Sequence, residues 1–105
     1  MQTLKVSSSS NPGAAAGAIA NGVRERGVAE IQVIGPRAVN QAVKAIAIAR
    51  GYLAASGVDL YCVPSFVSIR VTEGDEERTA IRFCVRTRHG VCGVEAPPSG
   101  ILPEF

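Results

Sequence analysis

Residues 27–53 read GVAEIQVIGPRAVNQAVKAIAIARGYL, and this stretch decides the fold. Alternation of apolar and polar residues from Ala29 to Ile34 predicts a short strand. Gly35-Pro36 follows, and a long amphipathic helix begins at once. Proline suits the first turn of a helix, where its missing N–H is not needed. The helix is predicted from Arg37 to about Ala55, with Val39, Val43, Ile46 and Leu53 on one face. Arg37, Gln41, Lys44 and Ile48 fall together on another by three- and four-residue spacing, and Gly57 stops the helix.

Toward the N-terminus, Thr3 to Ser7 alternates as a first strand. Ser8, Ser9, Ser10, Asn11 and Pro12 then form a capping cluster, with Pro12 suited to the first helical position. The helix that follows runs to about Arg26 and is built of small residues, with Ile19 and Val23 as its apolar weight. An internal glycine costs a helix about 1 kcal/mol against alanine. The narrow face of Gly13, Gly17 and Ala20 therefore predicts close approach of another backbone, from the sheet or from a second subunit. Gly27 ends this helix, and Arg24 and Arg26 complement its dipole.

Toward the C-terminus, Leu60 to Thr72 reads as a long third strand, broken or bulged by Pro64, and Thr79 to Arg86 as the fourth. Matching apolar partners pairs Ile69 with Ile81 and Val67 with Phe83. That register sets Ser68 opposite Arg82 and Arg70 opposite Ala80, and it gathers Arg70, Arg78, Arg82 and Arg86 on one face. The connecting loop, Glu73-Gly74-Asp75-Glu76-Glu77, is acidic. The order β-α-β-α-β-β predicts an α+β fold of two layers, with two helices on one face of a four-stranded mixed sheet. Residues 1–88 form the domain. Residues 89–105 lose periodicity among Gly90, Gly93, Pro97, Pro98, Gly100 and Pro103 and read as an irregular tail.

At 105 residues the chain makes one domain, and 47% hydrophobic with 19% charged residues is ordinary for a folded protein. The net charge of +2 does not by itself declare a nucleic-acid partner. Nine of the eleven basic residues are arginine, which is the better ligand for phosphate and stacked bases. The opening MQTLKVSSSS lacks the pattern of a secretory signal, and the longest apolar run, Ala45 to Ala49, is far short of a membrane span. A cytoplasmic protein with free thiols at Cys62, Cys84 and Cys92 is expected. Cys84, His89 and Cys92 are the nearest approach to a metal site, but their spacing is unlike that of zinc ligands, so no metal or cofactor is expected. No arrangement supports nucleophilic or acid–base catalysis, and an enzyme is not expected.

The phrase AEIQVIGPRAVNQAVKAIAIARG and the element order over residues 3–87 resemble the stage V sporulation protein S family, which has an Alba-like fold. The resemblance implies a small dimeric nucleic-acid-binding protein. In Alba proteins the start of the second helix and the loop before the first lie on the nucleic-acid side. The resemblance thus places Arg37, Gln41 and Lys44, together with Ser9, Ser10 and Asn11, at the interface. Arg37 coincides with a basic position of the Alba phrase. Gln41 stands where lysine is common, Ser10-Asn11 where a lysine pair is usual, and the hairpin is acidic rather than basic. These departures point to a weaker or different nucleic-acid mode, or to a protein partner.

Read from the residues alone, Ser7 to Gly13 either caps the helix or holds an anion. The Arg37 face is either solvated surface or a phosphate contact. The stripe of Arg70, Arg78, Arg82 and Arg86 either pairs with the acidic hairpin and protects a strand edge or forms a phosphate track. No aromatic residue interleaves with it in the register above. The leading expectation is a non-catalytic DNA- or RNA-binding regulator of sporulation or development, gripping phosphates through Arg37, Lys44 and the N–H groups of both helix starts. The alternative is a protein-interaction module for assembly that touches no nucleic acid, and a small-anion sensor at Ser7 to Gly13 is a third. Ile48 on a polar helix face, with the small-residue face of the first helix, predicts a homodimer. Because the tail has no periodic apolar face, a chain truncated after Arg88 is expected to melt within a few degrees of the full chain, as read by circular dichroism.

Overall fold

The computed structural model describes residues 3–70 and 77–89. Six elements follow one another: β1 (Thr3–Val6), α1 (Pro12–Arg26), β2 (Val28–Val33), α2 (Pro36–Ala54), β3 (Val58–Arg70) and β4 (Glu77–His89). The fold is α+β, as expected, with strand order β1-β2-β4-β3. β1 pairs parallel with β2, and β4 runs antiparallel to both β2 and β3.

Local chemistry explains the helix boundaries. Asn11 is the N-cap of α1, its side chain accepting from the N–H groups of Gly13 and Ala14, and Pro12 is the first helical residue. Gly27 closes α1 in the left-handed conformation at φ 78°, donating its N–H to the Val23 carbonyl at 2.7 Å. β2 alternates cleanly, with Ala29, Ile31 and Val33 buried. Directly opposite them in β4 stand Val85, Phe83 and Ile81, so the odd-numbered residues of β4 face the helices. The fully buried Ile19, Ile31, Val33, Leu53 and Val85 anchor the core, each worth about 1.5–3 kcal/mol relative to exposure.

The core face of α2 differs from the expected one. Ala38, Ala42, Ala45, Ala49 and Leu53 are buried, whereas Val39 and Ile46 are half-buried and Val43 is 50% exposed. Alanines allow α1 and α2 to pack closely, so the small side chains occupy the interior and the larger ones flank it. In α1, a Cβ placed on Gly17 would meet nothing within 4 Å, so this glycine makes no close approach within the chain. Gly22 lies nearer the sheet, where a Cβ would sit 3.6 Å from Ala29.

β3 is continuous through Pro64, contrary to the expected break. It is an edge strand, where a missing N–H on the outer side costs no ladder hydrogen bond. The β3–β4 register also differs from the expected one. Phe66, not Ile69, lies opposite Ile81, and Pro64, not Val67, opposite Phe83. Ser65 stands opposite Arg82, and Arg70 opposite Glu77. The shift is three residues, an odd number, so it exchanges the two faces of β3 relative to β4. Arg70 thereby leaves the face shared by Arg78, Arg82 and Arg86. Glu77 belongs to β4, while Glu73 to Glu76 and residues 90–105 lie outside the described residues.

Asp59 is fully buried at the start of β3. Its carboxylate accepts from Arg50 Nε of α2 at 2.6 Å, from Arg88 Nε of β4 at 2.9 Å and from the Leu60 N–H at 2.9 Å. A buried carboxylate is tolerable only when paired and hydrogen-bonded, and here one group clasps a helix to both strands of the hairpin. The Arg50 and Arg88 side chains are 33% and 46% exposed, so removing Asp59 leaves their charges partly hydrated. Asp59→Ala is therefore expected to cost about 3 kcal/mol, at the lower end for breaking a buried pair. Arg88→Gln should cost less, because Arg50 still pairs with the carboxylate. Urea unfolding of both variants at an unchanged m-value measures the difference.

Candidate nucleic-acid interface

The two helix starts meet at one end of the molecule. α2 begins at Gly35, which adopts φ 88° and offers no side-chain cap to the first turn. Glycine alone adopts this conformation without strain, and it permits the abrupt turn from β2 into Pro36. The first-turn N–H groups of α2, with the positive end of its dipole, are therefore not engaged by any capping side chain.

The loop before α1 is ordered by its own hydroxyls. Ser7 donates its N–H to Ser10 Oγ at 2.9 Å, Ser9 donates its N–H to Ser7 Oγ at 3.3 Å, and Ser10 donates its N–H to the Ser7 carbonyl at 3.1 Å. Asn11 is occupied as the α1 cap. Gln41 donates from Nε2 to the Ser10 carbonyl at 3.0 Å and is half-buried. This contact ties the loop to α2 across 31 residues. Of the six positions expected at this interface, Gln41, Ser10, Asn11 and Ser9 hold the loop together by hydrogen bonds, whereas Arg37 and Lys44 are exposed beside it. Ser8, Pro36, Arg37, Asn40 and Gln41 line a shallow depression beside the α2 start. Neither Arg37 nor Lys44 forms an ion pair among the described residues.

The sheet face opposite the helices carries the second group of candidates. Alternation along β4 places Arg78, Arg82 and Arg86 there, opposite Ile69, Ser65 and Tyr61 of β3. Lys5 and Gln32 continue the Arg82 row across β1 and β2. Arg82 approaches Glu30 at 3.7 Å, a long and half-exposed pair. Arg70 faces the other way, as described above. The corrected register also brings an aromatic residue to this face, since Tyr61 stands directly beside Arg86.

Cys62, exposed on β3, and Cys84 are free thiols, and partial burial pushes the Cys62 thiol up. Among the described residues no three His, Cys, Asp or Glu side chains cluster as metal ligands, and Cys92 lies outside them. Among the same residues, no helix is long and apolar enough to cross a membrane. A family model described as Stage V sporulation protein S (SpoVS) matches residues 2–88 of the chain, from ahead of β1 to within one residue of the end of β4.

Proposed function

The chain belongs to the stage V sporulation protein S family, and we propose that it serves its sporulation-related role in the cytoplasm by binding DNA or RNA without catalysis. The observation that carries this reading is the Gln41–Ser10 brace, which holds the loop before α1 against the start of α2 beside the exposed Arg37. Two helix starts fixed side by side concentrate N–H groups and positive dipole ends where a phosphate backbone can lie. Arg37 and Lys44 add mobile charge around that fixed cradle. Backbone N–H groups, arginine and lysine grip phosphate at any sequence, so phosphate contact with weak sequence preference is the expected mode.

The protein acts as a homodimer in this reading. Phe66 of the edge strand β3 is 80% exposed, and Val43 and Tyr52 of α2 are about half exposed. Phe66 shares the face of Ile81, and Cys62 to Ser68 carry no charge, so a second copy can meet the strand there without like-charge repulsion while Tyr61, on the opposite face, stays open. A monomer would leave these side chains in water. Sedimentation at high micromolar concentration should show a dimer, and Phe66→Glu should shift it toward monomer. A monomeric parent protein would overturn this assignment.

Changing Arg37 and Lys44 together to Ala should weaken binding of all sequences alike and flatten the salt slope by about two units, one per lost phosphate contact. The fold should survive, because both side chains are exposed. Titration of labelled DNA and RNA at two salt concentrations makes the measurement. If the unmodified protein binds neither nucleic acid at low salt, the uncharged edge strand favours the alternative, an assembly module acting through protein contacts.

A further inference from the structure

The open face of the sheet has a composition that the helix starts lack. Tyr61 is 42% and Val63 54% exposed on β3, and Tyr61 lies directly opposite Arg86. Residues directly opposite in an antiparallel pair have Cβ atoms about 4.5–5.5 Å apart, so Tyr61 and Arg86 are neighbours on this face. Apart from the Arg88–Asp59 pair, the described residues of this face carry four basic groups, Lys5, Arg78, Arg82 and Arg86, against the single carboxylate of Glu30. Four minus one gives a net charge of +3 on one face of a chain whose total is +2. Charge is therefore concentrated here, beside an aromatic ring.

The face is also continuous with the helix starts. A second depression, lined in part by Lys5, Ser7, Ser8 and Gln32, shares Ser8 with the depression at Arg37. A polyanion leaving the α2 start thus meets Ser8, then Lys5 and Gln32, then Arg82 in the next row, and reaches Arg86 and Tyr61. Arginine contacts phosphate at any sequence, and an aromatic ring stacks on any base whose face is free. A duplex hides those base faces inside its stack, whereas an unpaired strand presents them.

We propose that the open sheet face, through Tyr61, Arg86, Arg82 and Lys5, continues the nucleic-acid path from the helix starts and selects unpaired strands over duplex. The inference rests on the phosphate-binding reading above and adds the class of nucleic acid. The partner is a single strand of RNA or DNA, gripped by phosphate contacts and stacked through one base on Tyr61.

The test compares Tyr61→Leu, Tyr61→Phe and Arg86→Gln in the full chain. Fluorescence anisotropy follows binding to labelled 16-nucleotide unpaired RNA and DNA and to a duplex of the same length. Tyr61→Leu should weaken single-strand binding about tenfold and leave duplex binding within about twofold. Tyr61→Phe, which keeps the ring, should bind like the parent, and Arg86→Gln should weaken binding and reduce the salt slope by about one unit. Melting temperatures within a few degrees of the parent establish that each variant is folded. Unchanged single-strand binding by Tyr61→Leu overturns the proposal, as does an equal loss on single strand and duplex. If the Arg37 and Lys44 double variant loses binding while Tyr61→Leu and Arg86→Gln do not, the helix-start reading stands and this one falls. If the unmodified chain binds no nucleic acid, both fall together.

Discussion

The position of β4 between β2 and β3 is the constraint on which the rest of the molecule depends. Its odd-numbered residues Ile81, Phe83 and Val85 complete the core begun by Val33, Ile31 and Ala29 of β2. Once those side chains point toward the helices, Arg82 and Arg86 have no choice but the opposite face. The same strand holds β3 in place and carries Arg88 to the buried Asp59, tying the hairpin to α2 through Arg50. Core, basic face and clasp are thus three consequences of one alternation. A slip of one residue would reverse all of them at once.

The helical layer works differently, through short side chains and one long-range hydrogen bond. Ala38, Ala42, Ala45 and Ala49 leave room for α1 to pack against α2 with Ala16, Ile19, Ala20 and Val23. β1 and β2 run parallel and each leads into a helix, so both helices start at the same end, and Gln41 ties them there through the Ser10 carbonyl. The glutamine does what a lysine at this position could not do so well. Its amide is neutral, is pre-shaped to donate to a carbonyl, and can be half-buried without the desolvation cost of an ammonium. Glutamine at this position therefore supplies a fixed geometry rather than a charge.

Much of this was legible in the sequence because it depends on local chemistry. Asn11-Pro12, Gly27 and Gly35-Pro36 announce helix boundaries through capping and permitted φ values, and the structure places them there. What was not legible depends on comparisons between distant residues of similar character. The long hairpin offers apolar side chains on both faces of β3, with Val63, Val67 and Ile69 on one and Phe66 on the other, so more than one register pairs apolar with apolar. On α2, valine and isoleucine outweigh alanine in any hydrophobicity argument. The volume available between two helices decided the buried face instead. Asp59 gave only a weak signal, a lone carboxylate between Val58 and Leu60, because its partners lie nine and twenty-nine residues away. At the site, the types of residue were readable but their division of labour was not. Nothing in the letters separates Gln41, which braces the loop, from Arg37, which is exposed beside it.

The strand order carries a consequence for the time at which the protein can fold during synthesis. β4 is the last of the described strands to be made, yet it is inserted between β2 and β3 and joins them. Until it arrives, β2 has only the short β1 beside it, and β3 has no strand partner at all. Translation proceeds at about 5–20 residues per second, so the stretch from Arg70 to His89 takes roughly one to four seconds to make. For that interval the uncharged segment Tyr61 to Ser68 and the edge of β2 away from β1 are both without their strand partner. Asp59 likewise awaits Arg88. Sheet, core and ion-pair clasp are thus all completed by the same late-made strand.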